Sequence, residues 1–198
     1  MISRVEAVWR HLLVAALDRG ERRSSITRLG GELGFPVSTI HQALERPRSI
    51  GAIKAGFDGV RVLDPKRLQV LWAARRDLSA DVVYQTRVAM PVEDIEGRLP
   101  LSAIPTAFTA YVRFQGRNVV ADYDEVVVYG SAHEVRRRFP PKRKGNANLI
   151  VLDPDPLLPR YGVVAPRCQI YTDLFNLPSW QAQRFLQAIE DDWLRDVA

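Results

Sequence analysis

Ser38, Thr39, His41 and Gln42 fall within five positions, and each carries a side chain that donates or accepts hydrogen bonds. Such groups can meet base edges in a DNA groove or phosphate oxygens beside it. Arg46 and Arg48 follow at once, and Lys54 and Arg61 come soon after, so cations that can neutralise phosphates flank the polar cluster. Ser25 and Arg28 precede it. Ser25 is of a type that caps a helix and can also hold a phosphate, and Arg28 is a further phosphate ligand. Beyond residue 130, Arg136, Arg137 and Arg138 and then Lys142, Arg143 and Lys144 place six cations within nine positions. They form a candidate second nucleic-acid contact. They also suit the solvated end of a helix, whose dipole favours cations.

Bond-making chemistry is poorly served. Gly130-Ser131 followed by Asp153-x-Asp155 has the residue types of a nucleotidyltransferase site, where a Gly-Ser pair holds phosphate and paired carboxylates hold magnesium. Here 21 residues separate Ser131 from Asp153, and Pro154 and Pro156 turn the acidic pair into a bend. Asp122 and Asp124 come before the Gly-Ser pair. His11, His41 and His133 are scattered, and Cys168 is the single cysteine. No catalytic residue, metal or cofactor is expected.

The polar cluster needs a rigid mount. Val5, Val8, Trp9, Leu12, Leu13, Ala16 and Leu17 recur at helical steps, so residues 3–18 are expected to form a helix that Gly20 stops. Ser24 or Ser25 caps a second helix with Ile26, Leu29 and Leu33 on one face. Gly34 ends it, with Gly30 and Gly31 expected where two helices cross. Pro36 opens a third helix, Val37 to Glu45, with Val37, Ile40, Ala43 and Leu44 inward and Pro47 as its terminator. Ala52–Ala55 and Val60–Leu63 then alternate as strands around a Gly56-Phe57-Asp58-Gly59 turn. Asp64-Pro65 starts a helix that runs to about Arg76. Helix, helix, turn, helix, hairpin, helix is the order expected of a winged helix-turn-helix, with Lys54 and Arg61 on the wing.

A linker is expected near residues 78–80, followed by a mixed segment to Pro105. Helices are then expected at Ala107–Tyr111, Ala132–Arg138, Arg167–Phe175 and Ser179–Val197. Strands are expected at Asn118–Ala121, Glu125–Tyr129 and Asn148–Leu152, and at Val163-Val164. Trp72, Trp180 and Trp193 fall among aliphatics at helical steps and are expected to pack internally. The fold class is therefore α+β. An N-terminal winged helix-turn-helix domain (1–78) precedes a mixed α/β C-terminal domain (81–198).

Charge agrees with that division. Residues 1–78 hold 14 basic against 8 acidic side chains, and residues 149–198 hold 4 against 7. A basic front favours a polyanionic partner. No apolar run approaches the ~18 residues of a membrane span, and Arg10 and Arg19 bracket a stretch too amphipathic for a secretory signal. One cysteine gives no internal disulfide, so a reducing cytoplasmic setting is expected.

The stretch VLDPKRLQVLWAARR after the hairpin resembles the winged helix of AbiEi-family antitoxins of type IV toxin–antitoxin systems and related bacterial regulators. AFTAYVRFQGRNVVADYDEVVVYG and NANLIVLDPDPLLPRYGVVAPRCQIYTDLFNLPSWQAQRFLQ are similar to that family's C-terminal region. Gln169, Tyr171, Asp173 and Leu174 match its Q-x-Y-x-D-L helix. The resemblance implies a non-enzymatic repressor bound to double-stranded DNA repeats in its own promoter. It also implies a nucleotidyltransferase-like toxin, countered without a stable complex. A stand-alone regulator, a protein-docking module and a nucleotidyltransferase-like enzyme remain the alternatives.

Overall fold

The computed structural model describes residues 2–116, 120–141 and 145–194 of the chain. It is mixed α/β with two small sheets, and it divides into two units. One holds Ile2–Arg76 with the described residues from Ile189 on, and the other holds Asp77–Ala188.

The first unit begins with α1 (Arg4–Asp18), where Ser3 and Glu6 cap each other's main chain in a capping box. The two-residue strand β1 (Arg23–Ser24) precedes α2 (Ile26–Leu33). Gly34 takes a left-handed φ of 69°, and Phe35 N–H closes back on the Gly30 carbonyl at 3.0 Å. That closure brings Gly30 against the Phe35 oxygen, where a Cβ would stand 3.0 Å away. Gly31 meets nothing within 4 Å, so only the first of the two glycines marks a close approach.

α3 spans Val37–Ser49, four residues beyond Glu45, with Pro47 inside it. Proline lacks the N–H that would serve the carbonyl of Ala43 four residues back. That carbonyl instead accepts a buried 2.7 Å hydrogen bond from Trp9 Nε1 on α1. The indole therefore supplies the donor that Pro47 withholds and pins α1 to α3. Trp9→Phe is expected to cost about 1–3 kcal/mol, the penalty for orphaning a buried acceptor. Denaturant titration measures it. Pro47→Ala restores a main-chain donor, so the same Trp9→Phe change should cost less in that background.

β2 (Ile53–Gly56) and β3 (Gly59–Val62) form an antiparallel hairpin, and β3 also pairs with β1, giving the order β1-β3-β2. Gly59 has φ 104°, and a Cβ there would collide with the Ser24 carbonyl, so only glycine lets β1 sit this close to the turn. α4 (Pro65–Arg75) starts as expected, its Asp64 side chain accepting from Arg67 N–H at 2.8 Å. Val8, Leu13, Leu29, Ile40, Val60, Leu68 and Trp72 are buried in this unit's core.

In the second unit β4 (Val82–Thr86) and α5 (Val92–Gly97) occupy the segment that sequence periodicity leaves unassigned. β5 (Ile104–Pro105), α6 (Ala107–Phe114), β6 (Val126–Tyr129), α7 (Ala132–Arg138), β7 (Leu149–Leu152), α8 (Arg167–Phe175) and α9 (Trp180–Asp192) follow. The sheet order is β4-β7-β6-β5. β6 and β7 are parallel with α7 as crossover, and the outer pairs are antiparallel. Val126, Val128, Leu149 and Val151 join Ile95, Val135 and Phe139 in its core.

Three expectations fail here. Val163 and Val164 form a bend with Val163 exposed, because Gly162 and Pro166 flank them and no strand edge receives them. Of the strand expected at 118–121, residues 118 and 119 lie outside the described residues and 120 and 121 are bends. Trp180 is 64 % exposed at the first position of its helix, whereas Trp72 and Trp193 are buried. No helix among the described residues is long and apolar enough to cross a membrane.

Candidate nucleic-acid interface

α3 is amphipathic in a way that its sequence dictates. Ile40, Ala43, Leu44 and Pro47 are buried, whereas Val37, expected inward, is 47 % exposed at the first position of the helix. Ser38, His41, Gln42, Glu45, Arg46 and Ser49 recur at i, i+3, i+4, i+7, i+8 and i+11, and all are exposed. Thr39, half-buried, and Arg48, exposed, fall on the two flanks of that face. The result is a short rigid rod with a continuous hydrogen-bonding face. Its N-cap, Pro36, makes no side-chain cap bond.

Strand register assembles a second feature. Lys54 pairs directly with Arg61 across β2 and β3, and Arg61 pairs with Arg23 across β3 and β1. Directly opposed residues of an antiparallel ladder point to one face. Val60 and Val62, on either side of Arg61, are buried, so the face carrying the cations looks outward. Arg23, Arg61 and Lys54 thus form a row across all three strands. All three are exposed, and among the described residues none makes an ion pair. Like charges placed opposite one another destabilise a sheet, so this row opposes folding.

Sequence reasoning located Lys54 and Arg61 but missed Arg23. A two-residue strand is too short to show alternation. The available signal was the run Arg22-Arg23-Ser24 just before a helix cap.

Ser25 and Arg28 are placed differently. The Ser25 hydroxyl caps α2, accepting from Arg28 N–H at 3.1 Å. The Arg28 guanidinium donates to Glu32 at 2.7 Å and lies 3.8 Å from Glu21. To reach a phosphate it would have to leave two carboxylates. The other Glu32 oxygen lies 2.8 Å from His11 Nε2. Burial pushes the His11 imidazole below its ordinary value against the pull of Glu32, while Arg19 and Arg28 lower it further. The hydrogen bond from Arg28 holds the Glu32 carboxyl low.

Both shifts act in the same sense. An imidazole depressed in the folded state, like a depressed carboxyl, leaves the unfolded chain holding more protons as pH falls. Stability is expected to be full above pH about 6.5 and to decline from there as pH falls through the folded His11 value, with Glu32 adding a second decline below about 4.5. Denaturant melts between pH 7.5 and 5.5 test this, and His11→Gln should flatten the upper decline.

The second basic cluster is partly committed locally. Arg138 Nη1 donates to the carbonyls of Arg98 and Leu99, both at 2.9 Å, and Arg136 lies 5.5 Å from the centre of the Tyr84 ring. Arg137 is exposed and lines an open groove with Leu101, Ser102 and Glu134. Lys142, Arg143 and Lys144 lie outside the described residues.

Two acidic residues of the second unit make bonds within the fold. Asp155 accepts from Leu157 N–H at 3.0 Å, and the Ser131 hydroxyl caps α7. In the QIYTDL stretch Asp173 is fully buried, accepting from Thr106 Oγ1 at 2.6 Å and from Tyr129 at 2.8 Å, with Gln169 donating to both Tyr129 and Asp173 at 2.9 Å. These bonds lock α8 to β6 and to the start of α6. Among the described residues no group of three His, Cys, Asp or Glu side chains is arranged to hold a metal. The chain matches no family model, no curated protein and no solved structure.

Proposed function

We propose that residues 2–76 form a winged helix-turn-helix that binds duplex DNA by sequence, and that the protein is a transcriptional repressor acting by promoter occlusion. α3 is the reading helix. Ser38, His41 and Gln42 face bases from its exposed face, Thr39 and Arg48 work from its flanks, and Arg46 reaches the backbone. Arg23, Arg61 and Lys54 hold phosphates from the hairpin sheet. No bond is made or broken.

The observation that carries this reading is the unpaired cation row. Three like charges in direct opposition cost stability, and a polyanion gives that cost a use. The connectivity supports it too. A helix, a short strand, two helices joined through Gly34, and a hairpin closing on that strand give a rigid mount for a helix presented outward.

The resemblance to AbiEi-family antitoxins extends the proposal. The protein would work in the cytoplasm on repeats in its own promoter and oppose a nucleotidyltransferase-like toxin without binding it stably. A stand-alone regulator would share the DNA chemistry. Growth rescue of cells expressing the neighbouring gene separates the two.

Selection from a random duplex pool, with the gene's own upstream region as a second probe, tests the core of the proposal. A preferred duplex should emerge and bind at least ~10³-fold tighter than random DNA. Binding should weaken steeply between about 50 and 200 mM salt. Equal, salt-insensitive affinity for all duplexes would contradict it.

A further inference from the structure

In the second unit an open groove of about 720 Å³ lies among α5, the end of α6 and the segment leading into β6. Glu93 and Glu96 line it from α5, three residues apart and so on one face of that helix. Asp122 and Tyr123 line it from the segment before β6, and Arg113 is its one cation. Pro91, Val92 and Val112 add apolar lining. Among the described residues none of these four charged side chains makes an ion pair. Like charges at neighbouring helical positions oppose the helix that carries them.

The Tyr123 ring is fixed on the groove wall. Its hydroxyl donates to Glu96 at 3.0 Å, and its ring stacks on Phe108 with centroids 5.3 Å apart. Burial, with Glu96 and Glu93 beside it, pushes the Tyr123 phenol above its ordinary value, so the proton stays on the donor. Burial and Asp124 likewise raise the Glu125 carboxyl next along the chain. The local field is therefore negative, although the chain as a whole carries a net charge of +5.

We propose that this groove binds an aliphatic polyamine, its ammonium groups on Glu93, Glu96 and Asp122 and its methylenes against Tyr123, Val92 and Val112. The size suits a small molecule, since ligand pockets run from about 300 to 1,000 Å³. A metal ion does not fit. Among the described residues no three acidic side chains converge closely enough to hold one. Carboxylates spread along a partly apolar groove match cations spread along an alkyl chain. A tyrosine face also attracts an ammonium group. Arg113 stands in the last turn of α6, where the helix dipole favours a cation. Three carboxylates against that one guanidinium still leave the lining negative.

Calorimetric titration of the full chain without DNA tests this, so its outcome is independent of the DNA-binding reading. Spermidine and 1,5-diaminopentane should each saturate at one molecule per chain, and pentylamine, with one ammonium group, should bind about tenfold more weakly. Glu96→Gln and Asp122→Asn should each weaken spermidine about tenfold. Asp122 is exposed, so its variant keeps the test informative if Glu96→Gln fails to fold. Asp94→Asn removes the same charge from α5 outside the lining and should leave affinity unchanged. Saturating the tyrosine ring protons should transfer magnetisation to the spermidine methylenes, and Tyr123→Phe should move that transfer to the phenylalanine frequencies. Absence of saturable binding would overturn the proposal. So would equal losses in Asp94→Asn and Asp122→Asn, displacement of spermidine by an equal concentration of magnesium, or binding of glutarate in its place.

Discussion

His41→Ala combined with Gln42→Ala is expected to lower affinity for the selected duplex about 100-fold and to leave affinity for random duplex nearly unchanged. Both side chains stand on the outward face of α3, adjacent in sequence, with Ile40 and Ala43 buried on either side of them. A glutamine can pair bidentately with adenine, and each good base pairing of this kind discriminates by about 1–3 kcal/mol. Removing two of them at once accounts for the expected factor. Non-specific binding rests on phosphates and should survive. Neither residue contributes to the core, so the variant should melt like the wild type. Competition binding on selected and scrambled duplexes reads the effect. Equal weakening on both would move base reading off this face. Thr39→Ala should do less than either, because Thr39 is half-buried at the edge of the face.

Replacing Arg23, Lys54 and Arg61 together by alanine should do the reverse. Affinity should fall on every duplex alike. The slope of log K against log salt should become shallower by about 2.7, at ~0.9 for each phosphate no longer neutralised. The same variant should be at least as stable as the wild type, because it removes like charges that face one another across the ladder. That pairing of weaker binding with undiminished stability separates a row kept for a ligand from one kept for the fold. A row serving the fold would lose stability and leave the salt slope alone. Arg28→Ala, by contrast, should change binding little, since Glu32 and Glu21 already engage that guanidinium.

The elements that support α3 were legible because periodicity and caps agreed. Asp64-Pro65, Gly34 and the alternation around Gly56–Gly59 each carry a local rule, and the chain obeys it. Pro47 misled for a physical reason: the Ala43 carbonyl that it leaves without a main-chain donor is served instead by Trp9, 34 residues away in sequence. Arg23 was hidden because its role comes from register with Arg61, a long-range pairing that no short window reveals. The commitment of Arg28 to Glu32 sits at helical spacing and was readable, but the additional approach to Glu21 depends on the fold. In the second unit β4 is an edge strand whose register shifts between Val82 and Tyr84, which breaks the alternation that would have announced it.

The claim that the α3 face and the cation row together grip a duplex is tested most directly by amide shift mapping. The ¹⁵N-labelled full chain is titrated with the selected duplex. The largest perturbations should fall on residues 37–49 and at Arg23, Lys54 and Arg61, and should diminish together as salt rises. Perturbations confined to residues 77–188, or none at saturating duplex, would contradict it.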